Sequence, residues 1–253
     1  MKRTLIALAT VVTATHVGAQ ERMTLINTDT NAVLPSGAWV FDSDLRLMPG
    51  DGKNTYVSLG GYFGMANGLT GVLRTTLSSR KTFDQGGPRV RYGGTDFEAN
   101  VRYAFPEVKG LTVAGGLSFP NTPAQNRPFF TTEAVYAIPS QQATAYVGAR
   151  ALWRGGSSIM ALTGGLEARL STEWSALADL ALMVRGNNDV DPGNGRRRRT
   201  AVYGLGVAYQ PRHTHGTSFT LGLTNGLGVT HVFGNTASLG GRPGVYLGVT
   251  MRG

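Results

Sequence analysis

The chain has 253 residues, 41% of them hydrophobic, with 36 glycines, no cysteine and a formal net charge of +9. That hydrophobic share excludes a disordered chain, the glycines follow no collagen-like period, and the lack of cysteine leaves no disulfides and no lipid-modified cysteine. The excess charge is almost all arginine, and basic and aromatic residues do not alternate as a base-stacking platform requires, so nucleic acid is not an expected partner. Phosphates of lipopolysaccharide or anionic solutes are.

Residues 1–19 open with Lys2 and Arg3, continue with an apolar run from Leu5 to Val12, and close on Val17-Gly18-Ala19. This is the pattern of a cleaved signal peptide with the cut after Ala19, and its apolar run is too short to span a bilayer. Removing it takes the charge from +9 to +7. Residues 20–36 are polar and turn-rich and read as an unpaired periplasmic lead-in. Residues 37–253 read as one domain.

From Gly37 the hydrophobicity alternates with period two. Trp39, Phe41, Leu45 and Leu47 face away from Asp42, Asp44 and Arg46. Leu69, Leu73 and Leu77 oppose Thr70, Arg74 and Thr76. Phe97, Val101 and Phe105 oppose Glu98, Asn100 and Arg102. Leu162, Leu166 and Leu170 oppose Thr163, Glu167 and Arg169. Twelve such runs are expected at 37–48, 54–64, 68–79, 95–105, 110–119, 129–138, 143–154, 158–170, 174–185, 200–210, 217–228 and 243–252. Each has about the 9–11 residues that a tilted strand needs to cross a membrane.

Connections alternate between short, turn-forming ones (65–67, 106–109, 139–142, 171–173, 211–216) and mostly longer ones (80–94, 120–128, 186–199, 229–242), with 49–53 and 155–156 as two short exceptions in the second set. Outer-membrane barrels place short turns in the periplasm and long loops outside, and aromatic residues mark the interfaces; here Phe105, Trp174 and Tyr209 lie beside short turns. A turn at Asn225-Gly226 would change the strand count, so ten to fourteen strands stay open. A soluble sandwich or lipocalin-like barrel would use the same alternation turned inside out. Twelve long strands and the loop asymmetry favour a closed, antiparallel, up-and-down transmembrane β-barrel in the outer membrane of a Gram-negative cell.

On these alternating segments, and on the rhythm of short turns and long loops, the chain resembles the small bacterial outer-membrane barrel superfamily, particularly its twelve-stranded porin-like members. Leu34-Pro35-Ser36-Gly37 is similar to the lead-in of such barrels. The resemblance implies delivery by the barrel-assembly machinery. These barrels commonly finish on an aromatic residue, whereas the last aromatic here is Tyr246.

With the apolar face on lipid, the charged residues turn inward. The candidates to line a pore are Asp42, Asp44, Arg46, Arg74, Glu98, Arg102, Glu133, Arg150, Glu167, Arg169, Asp179 and Arg185; Arg154 and Arg252 share the inward parity. Near-balanced charge suits either a weakly anion-preferring diffusion channel or a salt-bridged, plugged lumen whose outer loops bind lipopolysaccharide or a surface partner. Inward glycines, among them Gly165, Gly204, Gly206 and Gly222, would leave open volume or permit sheet curvature. Arg196, Arg197, Arg198 and Arg199 are candidates for binding lipopolysaccharide or anions in an outer loop that also carries Asp189 and Asp191.

Nothing in the sequence points to an enzyme, a metal or a cofactor. His213 and His215 are two ligands without a third. No G-x-S-x-G elbow occurs. His231 with Ser238, or with Asp84, Asp96 and Asp189, would be needed for a barrel phospholipase or protease, and none forms a recognisable motif.

Overall fold

The computed structural model describes residues 22–49, 54–66, 68–78, 81–83, 90–92, 94–121, 127–154, 158–191, 194–214 and 216–253. The expected signal peptide and its cut site, with Asp84 and His215, lie outside the described residues. Among the described residues sixteen strands form: β1 (Trp39–Met48), β2 (Asn54–Gly64), β3 (Leu69–Ser78), β4 (Lys81–Phe83), β5 (Val90–Tyr92), β6 (Thr95–Ala104), β7 (Leu111–Asn121), β8 (Phe129–Pro139), β9 (Ala143–Trp153), β10 (Ile159–Arg169), β11 (Trp174–Arg185), β12 (Asp189–Val190), β13 (Arg197–Arg198), β14 (Val202–Tyr209), β15 (Ser218–Thr224) and β16 (Gly244–Arg252). Twelve of them close a barrel in the order β1-β16-β15-β14-β11-β10-β9-β8-β7-β6-β3-β2. Every barrel pair is antiparallel, and β1 seals it against β16 with Val40 opposite Arg252 and Leu47 opposite Val245. The four remaining strands form two small hairpins, β4 with β5 and β12 with β13, in the long loops.

The twelve runs expected from alternation correspond to the twelve barrel strands, most within one or two residues. The eleventh differs. It stops at Thr224 instead of reaching 228, because the Asn225 side chain replaces the ladder: its Oδ1 accepts from Tyr203 N at 2.7 Å and its Nδ2 donates to Ala201 O at 2.8 Å. Asn225-Gly226 makes no extra hairpin of strands. It marks where the chain leaves the wall.

Burial gives the wall its orientation. Leu205, Leu221, Leu162 and Phe63 are 58%, 53%, 52% and 52% exposed, while Arg46 and Glu98 on the other face are 0% exposed. In water this arrangement is inside out, since apolar surface left exposed costs about 25 cal/mol per Å². It suits a sheet with lipid around it, where a closed ladder leaves no backbone group unpaired. Aromatic pairs reinforce the rim that carries the short turns: Tyr103 and Phe105 lie 5.1 Å apart edge to face, and Trp174 and Tyr209 are 4.7 Å apart.

The interior is filled by two segments. From the short-turn end enters the chain before β1; from the long-loop end enters the loop after β15, which carries one turn of α-helix, α1 (His231–Gly234), and a 3-10 turn at Leu239–Gly241. The polar, turn-rich sequence of residues 20–36 predicts an unpaired periplasmic lead-in. Residues 22–30 are instead almost all buried inside the barrel, with Ile26 at 0% and Met23 at 1% exposed. The loop at 229–242 likewise folds inward, burying Val232 and Phe233 against Tyr56, Phe129 and Leu152.

Candidate functional site: the plugged lumen

The segment before β1 forms a tight hairpin. Leu25 N donates to Thr28 O at 2.9 Å and Thr30 N to Met23 O at 3.2 Å, with Thr24 bridged to Asp29. The turn aims three successive backbone N–H groups at one wall carboxylate. Asp179 Oδ2 accepts from Ile26 N at 2.9 Å, Asn27 N at 2.5 Å and Thr28 N at 3.0 Å, while its Oδ1 accepts from Asn27 Nδ2 at 2.9 Å. Consecutive N–H groups curled around an anion form a nest.

The wall is shaped for this tip. Asp179 stands in register between Gly165 on β10 and Gly204 on β14. A Cβ on Gly165 would overlap Leu25, and one on Gly204 would come within 2.8 Å of Ile26 and 2.7 Å of Asp179 Oδ1. The glycines therefore create volume, but the hairpin fills it. Leu25 and Ile26 pack there with Val135, Tyr146, Leu177 and Tyr246.

Arg46 holds the other side of the tip. Its guanidinium donates to Ile26 O at 2.7 Å, Asn27 Oδ1 at 2.7 Å and Gly226 O at 2.9 Å, with Asp44 Oδ1 accepting from its Nε at 3.1 Å. One buried cation thus joins wall, hairpin and outer loop. Arg22 adds a pair to Glu167 at 3.2 Å, and Leu34 N donates to Thr70 Oγ1 at 2.7 Å.

Asp29 lies at the centre of the charged network. Arg74 grips it through both terminal nitrogens, Arg102 Nη2 stands at 2.5 Å, Arg150 Nη2 at 3.7 Å and His231 Nε2 at 3.5 Å. Two further carboxylates complete the cluster, each opposite its arginine across a strand pair: Glu98 faces Arg74 and Glu133 faces Arg150. Glu133 Oε1 is 2.9 Å from Arg150 Nη2, and Glu98 Oε1 is 3.4 Å from Arg74 Nη1. His231 bridges them, with Nδ1 2.9 Å from Glu98 and Nε2 3.2 Å from Glu133.

These partners determine protonation. Burial would by itself raise the Asp29 pKa, but Arg102 and Arg74 overcome it and hold the carboxyl well below its usual range. Burial would lower the His231 pKa; Glu98, with bonds to Asp29 and Glu133, pushes it instead up to about 10. The imidazole is therefore a cation at neutral pH, and the cluster combines three carboxylates with four cationic groups. Asp29, Glu133 and His231 could offer three metal ligands within 4.8 Å of one another. Arg74, Arg102 and Arg150 already neutralise those carboxylates, and a divalent ion would stand beside three guanidinium groups. The donor set does not suit one.

Of the twelve inward candidates, Asp44, Arg46, Arg74, Glu98, Arg102, Glu133, Arg150 and Asp179 are buried in the lumen. Asp42 and Glu167 are partly buried, reached by Thr24 and Arg22 of the hairpin segment. Arg169 and Arg185 are exposed at opposite rims. Of the four consecutive arginines, Arg198 pairs with Asp189 at 2.7 Å, while Arg196, Arg197 and Arg199 are exposed, Arg199 donating to Val184 O at 3.0 Å. Sequence reading missed Asp29, Asn27 and the inward role of His231, since none lies on an alternating strand. The glycines flanking Asp179 were the available signal. His231 does not meet Ser238, whose hydroxyl bonds Arg242 O, so the pair a hydrolase needs is not assembled.

No protein-family model and no curated protein sequence matches the chain. Solved structures do. The NanC porin aligns with a TM-score of 0.54 at 11% identity, over 84% of this chain and 98% of that one. The KdgM porin aligns at 0.51 and 10% identity, over 85% and 98%. An outer-membrane channel from Pseudomonas putida F1 aligns at 0.51 and 14% identity, over 88% and 97%. At such identities the likeness is one of fold: the chain has the porin-like architecture of outer-membrane β-barrels, closed by twelve antiparallel strands.

Proposed function

We propose that this protein is an outer-membrane diffusion channel for small solutes, weakly anion-preferring, whose lumen is closed by its own N-terminal hairpin and outer loop. The observation that carries the reading is how the hairpin is held. It joins no strand ladder of the wall; side chains such as Asp179, Arg46 and Arg102 bind it, so it can leave without breaking the barrel. Its withdrawal would uncover Arg74, Arg102 and Arg150 and remove the negative charge of Asp29. Channel neighbours support passage of solute, and one of them, KdgM, has been solved with oligogalacturonate.

Planar-bilayer recording of the refolded protein and of a variant lacking residues 22–34 tests this. The intact chain should show rare openings and the deletion a persistent unitary conductance, with a reversal potential in a salt gradient favouring anions modestly. Silence from a deletion variant with intact barrel fold would refute the channel.

The depth to which the described lumen is filled favours a second reading in that event. The barrel would be a structural or adhesive scaffold, stabilised by its ion pairs. Its β12–β13 loop, with Arg196 and Arg197 exposed, would bind lipopolysaccharide phosphates or a surface partner. In either case membrane lipid surrounds the wall, the barrel-assembly machinery inserts it, and the signal peptide at residues 1–19 exports it.

A further inference from the structure

We propose that Asp29 is a built-in stand-in for a solute carboxylate, and that a carboxylate-bearing solute opens the lumen by taking its place. This rests on the channel reading and adds what the gate responds to. Three guanidinium groups and an imidazolium converge on one side chain of a detachable segment: Arg74, Arg102, Arg150 and His231, with Arg102 at 2.5 Å. The wall alone does not require Asp29. Arg74 and Arg150 keep wall partners in Glu98 and Glu133, whereas the Asp29 pair and the Met23 carbonyl that Arg102 contacts both belong to the hairpin.

Arginine forks match the planar, two-oxygen geometry of a carboxylate, and Arg74 already grips Asp29 in that way through two nitrogens. When the hairpin lifts, the four cationic groups keep the carboxylates of Glu98 and Glu133 but lose that of Asp29, and a free anion is attracted to the vacated place. A solute carboxylate bound there excludes Asp29 from its seat. Because it binds the open form and not the closed one, it shifts the population toward open by mass action. A neutral solute has no such differential affinity.

The natural lack of cysteine allows a direct test. Thr28, buried at 2% exposure in the hairpin tip, is replaced by Cys, and the refolded barrel is treated with a membrane-impermeant maleimide. Succinate should raise the labelling rate by roughly tenfold, within the usual range for ligand coupling, while succinamide and chloride at matched ionic strength should not. Adding Asp29→Asn should make labelling fast and indifferent to succinate. Adding Arg102→Gln should blunt the succinate response, which keeps the test decisive if the Asp29 variant does not fold. A parent barrel whose labelling ignores succinate, or responds equally to succinamide or chloride, overturns the proposal. Conductance recorded on the same samples separates the two ideas: faster labelling with no current defeats the channel and leaves the displacement, whereas current through the hairpin deletion with no succinate effect defeats only the displacement.

Discussion

Replacing Asp179 with Asn should release the hairpin while leaving the barrel intact. The carboxylate accepts three backbone N–H bonds on one oxygen and the Asn27 amide on the other. An Asn can present its single oxygen to the three N–H groups, but its amide nitrogen then meets the Asn27 amide nitrogen, donor against donor. Flipping Asn27 gives no escape, because its own oxygen accepts from Arg46 at 2.7 Å and Thr224 at 2.9 Å. One bond to a charged acceptor is lost outright and three become bonds to a neutral one. A bond to a charged group contributes about 1.5–3 kcal/mol against about 0.5–1.5 for a neutral one, and the amide escapes some desolvation, so the net loss is about 2–4 kcal/mol. At about 1.4 kcal/mol per decade this multiplies the undocked population by about 30- to 1,000-fold. The assay is maleimide labelling of Thr28→Cys with and without Asp179→Asn, alongside thermal unfolding of the sheet followed by circular dichroism. Coinciding labelling rates would show that the nest is not what holds the hairpin. A barrel that melts with it would show that Asp179 supports the wall instead.

Two further outcomes follow from the charges and from the outer face. The His231 pKa is raised, so its contribution to the stability of the folded protein is complete below the ordinary value of 6.5 and disappears as pH rises through about 10. Resistance to denaturant should therefore fall between neutral pH and about pH 10, and a His231→Gln variant should lose that dependence. On the lipid face, Leu221→Arg should destabilise folding into bilayers by about 2–4 kcal/mol if the position lies near the midplane, measured by denaturant titration in vesicles. A negligible cost would contradict the assignment of the exposed face to lipid.

The barrel was legible in the sequence because its rule is local. A strand that separates lipid from a polar interior must alternate, and each of β1, β3, β6 and β10 carries that alternation in its own residues. The turn and loop lengths then orient it. The cross-strand pairs Arg74–Glu98 and Glu133–Arg150 follow from the same register, so the charged interior was legible in outline as well.

What fills the interior follows no such rule. The hairpin at 22–30 has polar residues and hydrophobics without a period, because its partners are the walls on every side of it. Ile26 is buried against Gly204 and Asp29 against Arg102, each pair far apart in sequence. Taken strand by strand, the wall carries eight basic against six acidic inward residues, a near balance that suits a weakly selective channel or a plugged lumen. The count left out Asp29, Arg22 and His231, the very groups that convert a balanced wall into a closed one. Removing one member of such a buried network leaves uncompensated charge and costs about 3–5 kcal/mol, whereas withdrawing the hairpin as a unit brings water in behind it to solvate the groups it leaves. The same ion pairs therefore resist substitution yet permit opening, and this is the physical reason a lumen so fully paired can still belong to a channel.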